Sequence, residues 1–157
     1  MEPILQIRHL SIDFTQYDQG VRKRQLQVIR DLSLSIYPGQ VIAVVGASGS
    51  GKSLLAHGIL GLLPYNGHME GELFYDGQPL TKDRMKRLRG KEIVLVPQGV
   101  TYLDPLMKVG DQIRKGKKDK KTVQRCRAAL KRYGLEPDTE TLYPFELSGG
   151  MARRVLI

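Results

Sequence analysis

Apolar positions recur with three different rhythms along these 157 residues. Ile4–Phe14 alternates loosely between apolar and polar side chains, which predicts a strand with one exposed face. Leu26–Ile36 alternates more cleanly and predicts a second strand or a bent pair. Between them Gln16–Gly20 is polar and reads as a turn, and Pro38-Gly39 is a second turn signal. Val41-Ile42-Ala43-Val44-Val45 breaks the alternation. All five are apolar and all but Ala43 are β-branched, the pattern of a strand buried on both faces of a parallel sheet. Glu92–Pro97 predicts another buried strand, with Pro97 tolerable only at its end. Gly71–Tyr75 reads as a short strand entering a turn at Asp76-Gly77.

The remaining apolar residues follow helical spacing. Leu54, Leu55, Ile59 and Leu60 suit a helix packed back on the sheet and stopped by Gly61–Gly67. Lys82–Arg89 predicts a basic helix, Val109–Ile113 opens another, and Lys115–Lys121 is a charged loop. Val123, Cys126, Ala129, Leu130 and Tyr133 share one face of a helix over Thr122–Tyr133, ended by Gly134. Ser148-Gly149-Gly150 reads as a glycine-rich start to a helix running from Met151. The expected architecture is α/β. It has a mixed sheet core, an antiparallel β portion before Pro38 and a helical subdomain from Thr101 to Phe145.

Composition narrows the classes. No apolar run approaches the ~18 residues of a spanning helix, and Met1-Glu2-Pro3-Ile4 lacks the layout of a signal peptide. Cys126 is the single cysteine, so no internal disulfide forms, and a reducing, cytoplasmic setting is expected. The formal net charge is +9, concentrated in Lys82–Lys91 and Arg114–Arg132. Neither run interleaves aromatic residues as base-stacking surfaces do. A solvated face is the first reading and attraction to a lipid-lined partner the second; no nucleic acid partner is expected.

One stretch carries explicit chemistry. Gly46-Ala47-Ser48-Gly49-Ser50-Gly51-Lys52-Ser53 fits G-x-x-x-x-G-K-[ST], placed after a predicted strand and before a predicted helix. Its glycines let the backbone approach an anion closely, so that successive N–H groups converge on phosphate oxygens. The helix start adds free N–H groups and the positive end of the helix dipole. Lys52 supplies a compact charge for the β- and γ-phosphates, and the Ser53 hydroxyl can ligate Mg²⁺. Nucleotide binding follows; the loop alone does not say which nucleotide.

Leu147-Ser148-Gly149-Gly150-Met151 resembles the signature sequence of ATP-binding-cassette (ABC) ATPases, usually written LSGGQ. With Gly46–Ser53 and Gln98 it makes three family motifs in the family's order. The details look like the subgroup that energises di/oligopeptide and nickel importers. Asp104–Ile113 after Gln98 is typical of that subgroup, as is Met151 preceded by Tyr143-Pro144-Phe145-Glu146.

The resemblance implies ATP and Mg²⁺ as ligands. It implies a single incomplete nucleotide-binding domain, with residues 1–98 in the ATP-binding core, 99–147 in the helical subdomain and 148–157 starting the signature helix. Gly46, Ala47, Ser48, Gly49, Ser50, Gly51, Lys52, Ser53 and Leu54 would hold the phosphates. Phe14, with Tyr17 as runner-up, would stack on adenine. Gln98, with Ser53, would serve Mg²⁺ and position the attacking water. Ser148, Gly149 and Gly150 would meet the γ-phosphate held by an opposing subunit. The implied partners are a second ABC ATPase subunit and transmembrane permease subunits, at the cytoplasmic face of the membrane. In the family, the Walker B strand with its Asp and catalytic Glu, the D-loop and the switch His follow the signature helix and are expected beyond Ile157. The alternative is a truncated nucleotide-binding module without ATPase activity. A P-loop kinase or GTPase would need its own recognition motif, such as N-K-x-D, and none occurs.

Overall fold

The computed structural model describes residues 2–17 and 23–157, and these form two compact units, Met1–Leu95 and Val96–Ile157. The first is built on a four-stranded antiparallel sheet in the order β2-β1-β3-β4, from β1 (Leu5–Tyr17), β2 (Lys23–Ile36), β3 (Gly67–Tyr75) and β4 (Gln78–Pro79). Helix α1 (Lys52–Ile59) lies between β2 and β3 in sequence, and α2 (Lys82–Leu88) follows β4. β1 runs on to Tyr17, past the start of the turn expected at Gln16–Gly20; residues 18–22 lie outside the described part.

The loose alternation in β1 has a physical cause. Ile7 points inward, yet so do Leu10 and Ile12, which a regular period of two forbids. A bulge between Ile7 and Leu10 resets the phase, with His9 in the left-handed region at φ 50°. β2 does the same opposite it. Ile29 and then Leu32 and Leu34 pack on the core, with Asp31 left-handed at φ 46°. The two bulges hold each other. His9 N donates to Ser33 Oγ (3.0 Å), Asp31 N donates to Ser11 Oγ (3.1 Å), and the His9 and Asp31 side chains meet at 2.6 Å. The Asp76-Gly77 turn forms as expected, joining Tyr75 to Gln78 with both turn residues at positive φ. The inward sheet face, Leu55 of α1, and Met85 and Leu88 of α2 make one core.

Two expected strands do not form. Val41–Val45 takes no regular secondary structure and belongs to no sheet, with Val41 96% and Val45 89% exposed. Glu92–Pro97 makes one isolated bridge, Arg89 to Ile93, and there the amides of Lys91, Glu92 and Ile93 turn back on the Leu88 carbonyl. A strand buried on both faces needs a hydrogen-bonding neighbour at its edges. Among the described residues no strand pairs with either segment, so the sheet is wholly antiparallel rather than mixed.

The second unit is helical: α3 (Val109–Arg114), α4 (Lys120–Arg132) and α5 (Gly149–Val155), with 3₁₀ turns at Val100–Tyr102, Pro137–Thr141 and Pro144–Glu146. Cys126, Leu130 and Leu135 form its core, and Met151 and Val155 seat α5 against them. Arg154 fastens the same contact, donating to the carbonyls of Gly134 (2.9 Å) and Tyr133 (3.3 Å) at the end of α4. Glu140, nearly buried, accepts from Arg114 Nη1 at 2.7 Å and from Arg127 Nε and Nη2 at 2.8 and 2.6 Å. Arg114 also donates to Asp111 at 2.9 Å. That bond, with the charge of Glu140, pushes the guanidinium above its ordinary pKa against the opposing effect of burial. Gly110 is required where α3 meets this cluster, since a Cβ there would lie 2.8 Å from Glu140 Cβ.

Two outcomes follow. Glu140→Ala removes the carboxylate shared by Arg114 and Arg127 and leaves Arg114 only its bond to Asp111, and we expect a loss of about 1–3 kcal/mol, read from amide hydrogen exchange of α3 and α4. Burial pushes the Cys126 thiol above its ordinary pKa, so this stabilising effect is complete below the unfolded thiol's pKa and is lost as pH rises through the folded one. At mildly alkaline pH, Cys126 should therefore react with a disulfide reagent much more slowly in the native protein than in urea.

Candidate nucleotide-binding site

The glycine-rich segment lies between the exposed Val41–Val45 stretch and α1, and its backbone supplies the conformations the motif requires. Gly49 and Gly51 take φ of 81° and 89°. Gly51 is the residue from which α1 starts. A Cβ there would meet Val28 Cγ1 of β2 at 2.8 Å, so both the backbone angle and the space demand glycine. At Gly46 a Cβ would sit 2.7 Å from Ser50 Oγ, and the serine side chain would have to turn away.

The start of α1 is left open for an anion. No side chain caps it and its first turn contains no carboxylate, so nothing in the helix offsets the N-terminal dipole. The first hydrogen bond at this end is Leu55 N to Gly51 O, at 2.9 Å. The amides of Lys52, Ser53 and Leu54 precede it and have no intrahelical acceptor. Lys52 Nζ is folded over the loop and donates to Gly46 O (2.7 Å), Ala47 O (2.6 Å) and Ser50 Oγ (3.2 Å). All three ammonium protons are thus placed at the mouth of the loop. These are exchangeable contacts: phosphate oxygens are stronger acceptors for an ammonium than neutral carbonyls. The Ser53 hydroxyl is exposed beside them. A phosphate and its Mg²⁺ fit this donor set, with Ser53 the residue to hold the metal.

The other expected site residues fall elsewhere. Phe14 lies on the inward side of β1 and packs against the core, its Cε1 close enough to Gly67 that a Cβ there would approach to 3.0 Å. Tyr17, the runner-up, is largely exposed at the end of the same strand. Gln98 belongs to the second unit, exposed in a bend before the Val100–Tyr102 turn. Ser148 is the N-cap of α5, its Oγ accepting from Met151 N at 3.3 Å, with Gly149 and Gly150 exposed in the first turn. Sequence reasoning did not anticipate the Lys52 contacts, because Gly46 O and Ala47 O reach the ammonium only once the loop has curled. No cluster of metal-binding side chains and no helix long and apolar enough to cross a membrane occur among the described residues.

Comparison with known proteins converges on one group. The chain is 33% identical to the dipeptide transport ATP-binding protein DppD of Lactococcus lactis subsp. cremoris, over 99% of this chain and 47% of that protein. It is 36% identical to the oligopeptide transport ATP-binding protein OppD of Bacillus subtilis, over 98% of this chain and 46% of that one. It is 32% identical to the metal-staphylopine import system ATP-binding protein CntD of Staphylococcus aureus, over 98% and 59% respectively. The chain thus spans about half the length of the curated relatives it matches first. The dimeric bacterial ABC transporter cassette MJ0796 superposes with a TM-score of 0.78 at 25% identity, over 98% of this chain and 67% of that one. The sequence profile of ABC transporters matches residues 29–157, a span that includes the phosphate loop, Gln98 and the Ser148 helix start, and the chain belongs to the ABC transporter family.

Proposed function

We propose that this chain is the nucleotide-binding part of the ATP-binding subunit of an importer for peptides or nickel. The observation that carries the reading is the open start of α1 with Lys52 folded over a loop of left-handed glycines. The names of the relatives support the solute class, since they include dipeptide transport, oligopeptide transport and metal-staphylopine import proteins.

In the proposed mechanism, residues 46–54 bind the phosphates of ATP through backbone amides and Lys52, and Ser53 holds Mg²⁺. Bound Mg²⁺ supplies charge neutralisation of the phosphates. Gln98 positions water near the metal and communicates with the membrane partner. Ser148, Gly149 and Gly150 contact the γ-phosphate on an opposing subunit, using the amides at the start of α5. Adenine contact falls to Phe14 or Tyr17. The packing of Phe14 against the core favours Tyr17, which has its ring in solvent. The complete subunit works as a dimer on permease subunits at the cytoplasmic face of the membrane, and hydrolyses ATP mainly by positioning and charge stabilisation. Residues 1–157 by themselves bind ATP without turning it over, because no Asp-Glu pair occurs in this sequence to hold the metal water and deprotonate the attacking one.

Titration calorimetry with ATP–Mg²⁺ tests the binding. Lys52→Ala removes the charge on the β- and γ-phosphates and should weaken affinity by about 1.5–3 kcal/mol, roughly ten- to hundredfold. Gly51→Ala should abolish binding, since the new methyl group meets Val28 and the loop loses its turn into α1. Equal affinity in wild type and Lys52→Ala would exclude the loop as the phosphate site. For turnover, phosphate release by the chain should equal that of Lys52→Ala; Lys52-dependent release would show that another residue here activates water.

A further inference from the structure

The basic stretch Lys82–Lys91 is divided by the structure into residues that are satisfied and residues that are not. Arg84 is engaged with its own unit's backbone. Its Nη1 donates to Tyr75 O at 2.7 Å and Gln78 O at 2.6 Å, and its guanidinium lies 5.7 Å from the Tyr75 ring centre. Lys82, Lys86 and Arg89, spaced by four and three residues, form one stripe along α2 and its end and face a cleft of about 570 Å³. None of the three has a carboxylate partner among the described residues. Arg89 Nε is buried without any acceptor, and its Nη2 reaches only the Gly61 carbonyl, at 3.5 Å. The facing wall brings His68, which is engaged with Thr15 Oγ1 at 3.1 Å, and Glu70, the one carboxylate of the lining. Leu63 and Met85 make an apolar floor, and the Tyr65 ring stands wholly exposed at the rim.

The two exposed lysines and the partly buried Arg89 face one carboxylate, so the cleft carries a positive potential. The volume falls within the ~300–1,000 Å³ range of small-molecule sites. Two ammonium groups and a guanidinium match a compact tetrahedral dianion, and the floor and the Tyr65 ring match an organic body attached to it. We infer that this cleft binds a phosphate monoester, its phosphate on Lys82, Lys86 and Arg89 and its organic part against Leu63, Met85 and Tyr65. The site is separate from the phosphate loop. The cleft includes Gly58 and Gly61 at the far end of α1, about 12 Å of helix from Gly51. The monoester could be a soluble metabolite or a lipid headgroup; the chemistry is the same.

The test uses the Lys52→Ala protein, so that the phosphate loop does not contribute. Calorimetric titration with AMP, titration with inorganic phosphate, and sedimentation with vesicles containing phosphatidic acid are compared with the same measurements on Lys52→Ala carrying Lys86→Glu or Lys82→Glu. Near-UV circular dichroism establishes that the charge reversals leave the fold intact, and Lys86→Gln serves in place of a reversal that does not. We expect AMP to bind at least tenfold more tightly than inorganic phosphate, and each charge reversal to weaken it at least tenfold. Binding to the vesicles alone, lost in Lys86→Glu, would identify the ester as a membrane headgroup and also support the site. No binding of AMP or vesicles, binding indifferent to Lys82 and Lys86, or equal affinity for AMP and inorganic phosphate would overturn the proposal. None of these outcomes depends on ATP binding at Lys52, so this site and the phosphate loop stand or fall separately.

Discussion

The close approach of α1 to β1 is the contact on which the phosphate loop depends. Gly58 lies so near the sheet that a Cβ would come within 2.9 Å of Ile12 Cδ1 and 3.4 Å of Met69 Sδ. Leu55, one turn earlier, enters the same core as Ile7, Leu10 and Ile12. With its C-terminal half held in this way, the helix presents its uncapped first turn at a defined place. Gly51 then has to make the reversal from loop to helix against Val28. An eight-residue helix is too short to be stable by itself, so burial of its apolar face holds it together. The placement of the loop and its helix start is thus a consequence of packing on an antiparallel sheet.

That sheet in turn depends on its irregularities. Without the bulges at His9 and Asp31, Ile7 and Leu10 would point to opposite faces and half of the β1 core would be in water. Two residues without the conformational freedom of glycine occupy the left-handed positions. Cross-strand bonds to Ser33 and Ser11 and the His9–Asp31 pair offset the strain. The second unit uses a different device. Its apolar core is small, and the Glu140–Arg114–Arg127 cluster joins α3, α4 and the Pro137–Thr141 turn with charge-assisted hydrogen bonds that only a nearly buried site makes strong.

Local rules explain which expectations met the structure. The helices, the Asp76-Gly77 hairpin and the helix start at Ser148 depend on spacing, capping and turn chemistry within a few residues, and all formed. The strands Val41–Val45 and Glu92–Pro97 depend on partners distant in sequence. Their composition is right for burial, yet a buried strand exists only when neighbours take its amides and carbonyls. Side-chain direction depends on pairing in the same way: the bulge in β1 sets Phe14 toward the core and leaves Tyr17 in solvent.

The sequence by itself determined the phosphate-binding motif, the helix starts at Lys52 and Ser148, the antiparallel first strands and the membership of a family, because each is written in contiguous residues. The tertiary structure decided how these become surfaces. It folded Lys52 onto the loop carbonyls and separated Arg84 from Lys82, Lys86 and Arg89. It also buried Glu140 between two arginines and left Val41–Val45 without a sheet. The physical reason is range. Spacing and capping act over one or two helical turns, whereas burial, pairing and the satisfaction of charge depend on which distant segments the packed chain brings together.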